Sequence, residues 1–218
     1  MNKEMLNNIL KFSLVLVIVG MVAGGSLSFV YLKTKSKIEE QQKKEELAAK
    51  NVIFKDKGYV FKKIKKEGIE YEEVYKNGKL EGYLFKAYGP GYSSVIVTLV
   101  GVDTNFNIKG IVILSQAETP GLGARIKEVK SDKYIFNFWK KKSENTKPWF
   151  EEQFEGLNAL SLKLIKGGKE YKDLDDKAKE KLKKKNEITA LSGATISSNA
   201  VLSSIKAKAD SLYKILKK

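Results

Sequence analysis

Two short stretches hold the side chains with the most chemical promise. "SGATISS", residues 192–198, gathers Ser192, Thr195, Ser197 and Ser198 just before an apolar-periodic run. "ETPGLGA", residues 118–124, sets Glu118 and Thr119 ahead of Pro120, Gly121, Leu122 and Gly123. Hydroxyls at the start of a helix suit two tasks: they cap it, and beside its unpaired N–H groups and positive dipole end they make a seat for phosphate. Both readings stand on the first stretch taken alone. In the second, Pro120 stiffens a loop, while Gly121 and Gly123 permit positive φ and close approach to the backbone. Glu118 and Thr119 offer polar contacts there and Leu122 an apolar one, although a plain Pro-Gly turn after a strand uses the same residues.

Composition narrows the chemistry further. The 218 residues include no cysteine and no histidine, which excludes disulfides, thiolate metal sites, the usual zinc sites and every histidine-based triad. No metal site and no catalytic group of the chain's own is expected. Any reaction must come from hydroxyls, carboxylates, lysines, the backbone or a borrowed cofactor. The formal charge is +15, from 41 basic against 26 acidic residues. Nearly all of the positive charge is lysine, and Arg125 is the single arginine. Readers of phosphate and base edges favour the planar arginine fork, so nucleic acid is not an expected partner.

The elements that must position these stretches begin with an anchor. "FSLVLVIVGMVAGGSLSFVYL", residues 12–32, is uncharged and long enough to cross a bilayer as one helix, and it follows a short tail, residues 1–11. A cleavable signal peptide is the competing reading, because Ala23-Gly24-Gly25 resembles a processing site. Gly20 and Gly24 would let another membrane helix approach closely, although glycine is also common in such helices for no particular purpose. Residues 33–51 read as a polar juxtamembrane helix or linker, and 52–218 as one α+β domain with a mainly antiparallel sheet and packed helices. Strands are expected at 59–64, 81–89, 94–102 and 108–116, the last two forming a hairpin with one buried face around the turn "DTNFN". Helices are expected around 131–142, in the lysine-rich stretch 177–185 as a solvated face, and over 196–217. In the last of these Val201, Ile205, Leu212 and Leu216 share a side, and a short strand and turn fall within 160–169. Tyr83, Tyr88, Tyr92 and Trp149 are assigned to core packing rather than to stacking on a ligand.

In this order and company the two motifs resemble those of the covalent FMN-binding domain found in the G subunit of Rnf-type electron-transport complexes. The C subunit of sodium-pumping NADH:quinone reductases is a close relative. The resemblance also takes in "GYSSVIVTLVGVDTNFNIKGIVIL" (91–114), "WFEEQF" (149–154) and the N-terminal apolar helix, and so covers most of the chain. It implies FMN held by a phosphoester to Thr195, with Ser192, Gly193 and Ala194 around the attachment point. Glu118, Thr119, Gly121, Leu122 and Gly123 would form the second wall. It implies a separate flavin transferase that uses FAD and a divalent metal, and other membrane and redox subunits with flavin and iron–sulfur centres as partners. The function implied is electron transfer within a membrane-bound, ion-translocating ferredoxin:NAD⁺ oxidoreductase.

The chain departs from the family where an acidic residue commonly stands three positions before Ser192. Thr189 occupies that place, and Glu187 is the nearest upstream carboxylate. The resemblance puts the domain outside the cytoplasm, whereas the denser lysines on the C-terminal flank of the apolar stretch, Lys33, Lys35 and Lys37, favour the inside. Neighbouring subunits can hold a weakly biased anchor in place, so the outside location is the expectation. Three rival readings remain: the C subunit of a quinone reductase, a membrane-anchored scaffold or sensor without covalent flavin, and a basic protein that binds anionic lipid or cell-wall polymer.

Overall fold

The computed structural model describes residues 3–55, 58–129 and 147–217. The chain divides into two compact units, Met1–Glu45 and Glu46–Lys218. Helix α1 runs unbroken over Lys3–Ile53. Its apolar stretch leaves every side chain from Phe12 to Leu32 exposed, and among the described residues it is the one helix long and apolar enough to span a membrane. The helix expected at 131–142 lies outside the described residues.

The second unit is built on five antiparallel strands in sequence order: β1 (Tyr59–Lys66), β2 (Ile69–Lys76), β3 (Lys79–Pro90), β4 (Val95–Asp103) and β5 (Ile108–Ser115). Two-residue turns close the first two hairpins. Both Glu67 and Gly68, and both Asn77 and Gly78, have positive φ, the geometry that matches the twist of the flanking strands. Between β4 and β5, the Asp103 carboxylate accepts the N–H groups of Asn105 and Asn107, each at 2.8 Å.

The expectation of one buried face on the β4–β5 hairpin needs correcting, because β4 is buried on both. Ile96, Val100 and Val102 belong to the larger core under helix α4 (Thr195–Leu216), together with Val201, Ile205, Ala209 and Leu212. Leu99 points the other way and packs with Leu84, Val74, Ala49, Ile53 and Phe54. The last turns of α1 therefore cover the second face of the sheet. Gly101 makes room for them, since a Cβ there would lie 2.3 Å from the Ile53 side chain.

Two further elements bring the motifs into place. Strands β6 (Lys163–Ile165) and β7 (Glu187–Thr189) pair in parallel, and between them runs α3 (Asp176–Lys185), which has no buried residue. β7 delivers the chain directly to residues 190–194 and the start of α4. After β5, residues 116–122 turn into a 3-10 helix at Gly123–Lys127, and α2 (Trp149–Glu152) buries Trp149 and Phe150.

Candidate functional site

The turn that precedes α4 is tied from within. Leu191 N–H donates to Ser198 Oγ at 2.9 Å, Ser198 Oγ donates to the Ala194 carbonyl at 3.0 Å, and Ala194 N–H donates to the Leu191 carbonyl at 3.1 Å. Gly193 takes φ +76°, which a side chain would strain, and a Cβ there would meet Leu122 at 3.3 Å. Ser192 is anchored from outside by its N–H, which donates to Glu170 Oε1 at 3.0 Å.

The capping reading of the hydroxyl cluster is not what the structure contains. The N-cap is Ala194, no side chain caps α4, and Thr195 is its first residue. The N–H groups of Thr195, Ile196 and Ser197 have no acceptor among the described residues, and neither has Thr195 Oγ1 a partner. Thr195 is half-buried. Three free N–H donors and one free hydroxyl at a helix start form a seat with the polarity that a phosphate requires.

The second motif faces the first. Glu118 is buried and turned inward. Its carboxylate accepts from Ser197 Oγ at 2.5 Å and from the N–H groups of Tyr92, Ser93 and Ser94 at 3.1, 2.9 and 3.0 Å. Burial pushes this carboxyl up, but the bonds from Ser197 and from the three backbone N–H groups outweigh it and hold the acid below its ordinary range. Gly123 is required by this arrangement, because a Cβ would lie 2.5 Å from Ser197 Oγ and 2.6 Å from Glu118 Oε2. Thr119 accepts the N–H groups of Leu122 and Ala124 on its carbonyl, while Gly121, at φ +77°, and Leu122 stand exposed. Residues 118, 123 and 197 thus converge, and Gly193 meets Leu122 beside them. Thr119 and Gly121 lie on the outer side of the loop, and Ser192, Gly193 and Ala194 form the turn itself.

A charged cluster supports both loops. The Arg125 guanidinium grips Glu170 with two bonds of 2.9 and 2.6 Å and reaches Glu128 through Nε at 3.1 Å. Glu128 also accepts from Trp149 Nε1 at 3.1 Å and from Lys172. Burial raises the Glu170 acid, yet the bonds from Arg125 and Ser192 N–H prevail and lower it. No cluster of carboxylates with metal-binding geometry occurs among the described residues.

Sequence reasoning overlooks Arg125, Glu170 and the latching role of Ser197. It also misplaces two aromatics. Tyr83 and Trp149 are buried as expected, but Tyr88 is 61% and Tyr92 75% exposed. Tyr92 stands beside the site because its N–H is held by Glu118, where exposed Leu122 and Ile196 add apolar surface. Thr189 lies inside the fold, with its N–H at 2.8 Å and its hydroxyl at 3.3 Å from Gln153 Oε1.

Comparison with known proteins gives this geometry a family. The FMN-binding domain family model matches residues 91–210, a span that starts at Gly91 and contains every residue of the site. The RnfG N-terminal region matches residues 1–53. The G subunit of the ion-translocating oxidoreductase complex of Aliivibrio fischeri is 30% identical over 76% of this chain and 89% of its own length. The chain belongs to the family of G subunits of ion-translocating oxidoreductase complexes. As a member of that family it also resembles the G subunit of the Na⁺-translocating ferredoxin:NAD⁺ oxidoreductase complex of Acetobacterium woodii, at 28% identity over 90% of this chain and 88% of the other. The solved structure of the C subunit of the Na⁺-translocating NADH-quinone reductase from Parabacteroides distasonis is 22% identical, with a TM-score of 0.46 over 68% of this chain and 63% of that one. This member of the G-subunit family thus carries an FMN-binding domain, and the free donors at Thr195–Ser197 suit the phosphate of such a ligand.

Proposed function

We propose that this chain is the electron-carrying G subunit of a membrane-bound ferredoxin:NAD⁺ oxidoreductase, anchored by α1, and that it holds FMN as a phosphoester on Thr195. The observation that carries the reading is the start of α4. There Thr195 Oγ1 and three N–H groups lack partners among the described residues and lie against a glycine-rich wall. When bound, FMN supplies the redox chemistry that a chain without cysteine or histidine lacks. The chain's residues bind and orient. The N–H groups of residues 195–197 hold the phosphate charge, Leu122 and Ile196 offer apolar contact to a flat ring, and the Glu118–Ser197 latch fixes the distance between the two walls.

Attachment falls to a separate flavin transferase with FAD and a divalent metal. A bond forms between Thr195 Oγ1 and the flavin-side phosphorus, the pyrophosphate bond of FAD breaks, AMP leaves with the bridging oxygen, and the hydroxyl proton passes to the transferase or solvent. No general base beside Thr195 is needed in this chain. Neighbouring redox subunits, flavin or iron–sulfur, are the electron partners, and the Gly20–Gly24 side of α1 is one docking face within the membrane.

The test is flavin fluorescence of the denatured protein after co-expression with a flavin transferase, wild type beside Thr195→Val. A fluorescent wild-type band that vanishes in the variant supports the reading. A dark wild type made with an active transferase overturns it in favour of a scaffold without covalent flavin. The domain is assigned to the outer side of the membrane. A cysteine in place of the exposed Val60 should react with an impermeant reagent in intact cells, and labelling only after lysis would overturn that assignment.

A further inference from the structure

The acidic residue that family members commonly carry at position 189 is missing here, yet a carboxylate does serve the acceptor turn. It comes from another element. Glu170 lies 22 residues before Ser192, is almost wholly buried, and accepts the Ser192 N–H on Oε1, while Arg125 holds both of its oxygens. Thr189, by contrast, spends its hydroxyl on Gln153 inside the fold and presents nothing to an approaching enzyme.

We propose that Glu170, gripped by Arg125, is a positioning residue for flavin attachment at Thr195. Its oxygen fixes the Ser192–Ala194 turn, and the guanidinium cancels a negative charge that would otherwise oppose the incoming phosphate. This rests on the reading that Thr195 is the attachment point.

Three facts support the division of labour. The only link from Ser192 to the rest of the domain among the described hydrogen bonds is the one to Glu170. Gly193 follows at φ +76°, so a single anchor on its N-terminal side sets the direction in which the turn enters α4. The carboxylate is too deeply buried for water to screen it, so its charge must be met by a neighbour, and the planar fork of Arg125 meets it at both oxygens. Oxygen and charge are therefore separable, which makes the proposal testable.

The experiment measures covalent flavin incorporation into the full-length detergent-purified protein by a purified transferase with FAD and Mg²⁺. Amide hydrogen exchange of residues 192–196 in the flavin-free protein is read in parallel. Glu170→Gln keeps an oxygen for Ser192 N–H and should slow incorporation by no more than about threefold, whereas Glu170→Leu removes it and should slow it about tenfold or more. Arg125→Gln removes both bonds of the fork and leaves the buried charge to Lys172 alone, 3.4 Å from Oε2, and should also cost about tenfold, and the Arg125→Gln, Glu170→Gln pair should recover to near the level of Glu170→Gln alone. The losses should fall on the turnover number rather than on the KM for the acceptor protein, with melting temperatures identifying any variant that merely unfolds. Glu170→Leu should speed exchange at residues 192–194 about tenfold. Equal rates for Glu170→Gln and Glu170→Leu, or a double variant as slow as Arg125→Gln, would overturn the proposal, and so would unchanged exchange in Glu170→Leu. A wild type that takes up no flavin at all would instead sink the attachment reading on which it rests.

Discussion

Ser197 Oγ donates to Glu118 Oε2 at 2.5 Å, joining two motifs that lie 79 residues apart in the chain. The same carboxylate gathers three successive backbone N–H groups from residues 92–94, so one buried side chain pins two loops and a helix. Glu118→Ala would strand these three N–H groups and the Ser197 hydroxyl, with the weaker bond from Ser94 Oγ at 3.4 Å lost as well, and should destabilise the domain by roughly 2–4 kcal/mol at pH 7. Because the folded acid is lowered, its contribution is full above the unfolded value near 4.5 and fades as pH falls through the lowered folded value. Chemical denaturation of wild type and variant at pH 7 and pH 3 should give a gap that narrows at the lower pH. An equal gap at both would refute the argument.

Gly123→Ala tests the same junction by volume. The added methyl would fall within 2.6 Å of both Ser197 Oγ and Glu118 Oε2, which cannot both withdraw without breaking their bond. A loss of about 1–3 kcal/mol is expected, together with lower flavin incorporation. Gly20→Ala, in open surroundings on α1, is the control and should leave domain stability unchanged.

Glu151 gives the opposite pH dependence. It is 2% exposed, accepts the Ile113 N–H at 2.8 Å, and burial pushes its acid up to about 7 despite that bond and the nearby Lys147 and Lys127. A carboxyl raised in the folded state favours folding while protonated. Its contribution is therefore fullest below the unfolded value near 4.5 and declines until pH passes about 7. Glu151→Gln keeps an acceptor for Ile113 without the charge and should stabilise the domain by on the order of 2–3 kcal/mol at pH 8, and much less at pH 5. Thermal melts at the two pH values decide it.

Lys50 and Glu72 form a buried pair at 2.6 Å. Removing one partner leaves the other charge stranded, so Lys50→Met should cost roughly 3–5 kcal/mol, whereas Lys50→Met with Glu72→Leu should return to within about 1 kcal/mol of wild type. A double variant no better than the single one would mean that the pair contributes through packing alone.

Much of this architecture is legible in the sequence, for reasons specific to each element. Strands β3, β4 and β5 show as dense β-branched and aromatic runs, and α4 as a helical stripe ending in Leu212 and Leu216. β2 escapes a reading by pattern because Glu70, Glu72 and Glu73 break its apolar character, although Asn77-Gly78 marks the hairpin that follows it. The one-sided β4–β5 hairpin fails because its second cover, Ala49, Ile53 and Phe54, straddles residue 52, where the sequence reads as a polar linker giving way to strands. At the site, Thr195, Gly193 and Gly123 are visible as a motif. Arg125 and Glu170 are 45 residues apart, and no local pattern announces that they meet.

The end of α1 supplies part of the domain's own interior. Ala49, Ile53 and Phe54 lie on Leu84 and Leu99, and Lys50 neutralises Glu72. A water-soluble fragment cut at residue 52, where the polar linker gives way to the strand-rich sequence, would lose Lys50 and strip Ala49 from the sheet. It should emerge sticky and poorly folded, whereas one that starts ahead of Glu46 should behave as a well-formed flavin carrier. The tether and the fold share residues, so the last turns of the helix cannot be exchanged for an arbitrary linker.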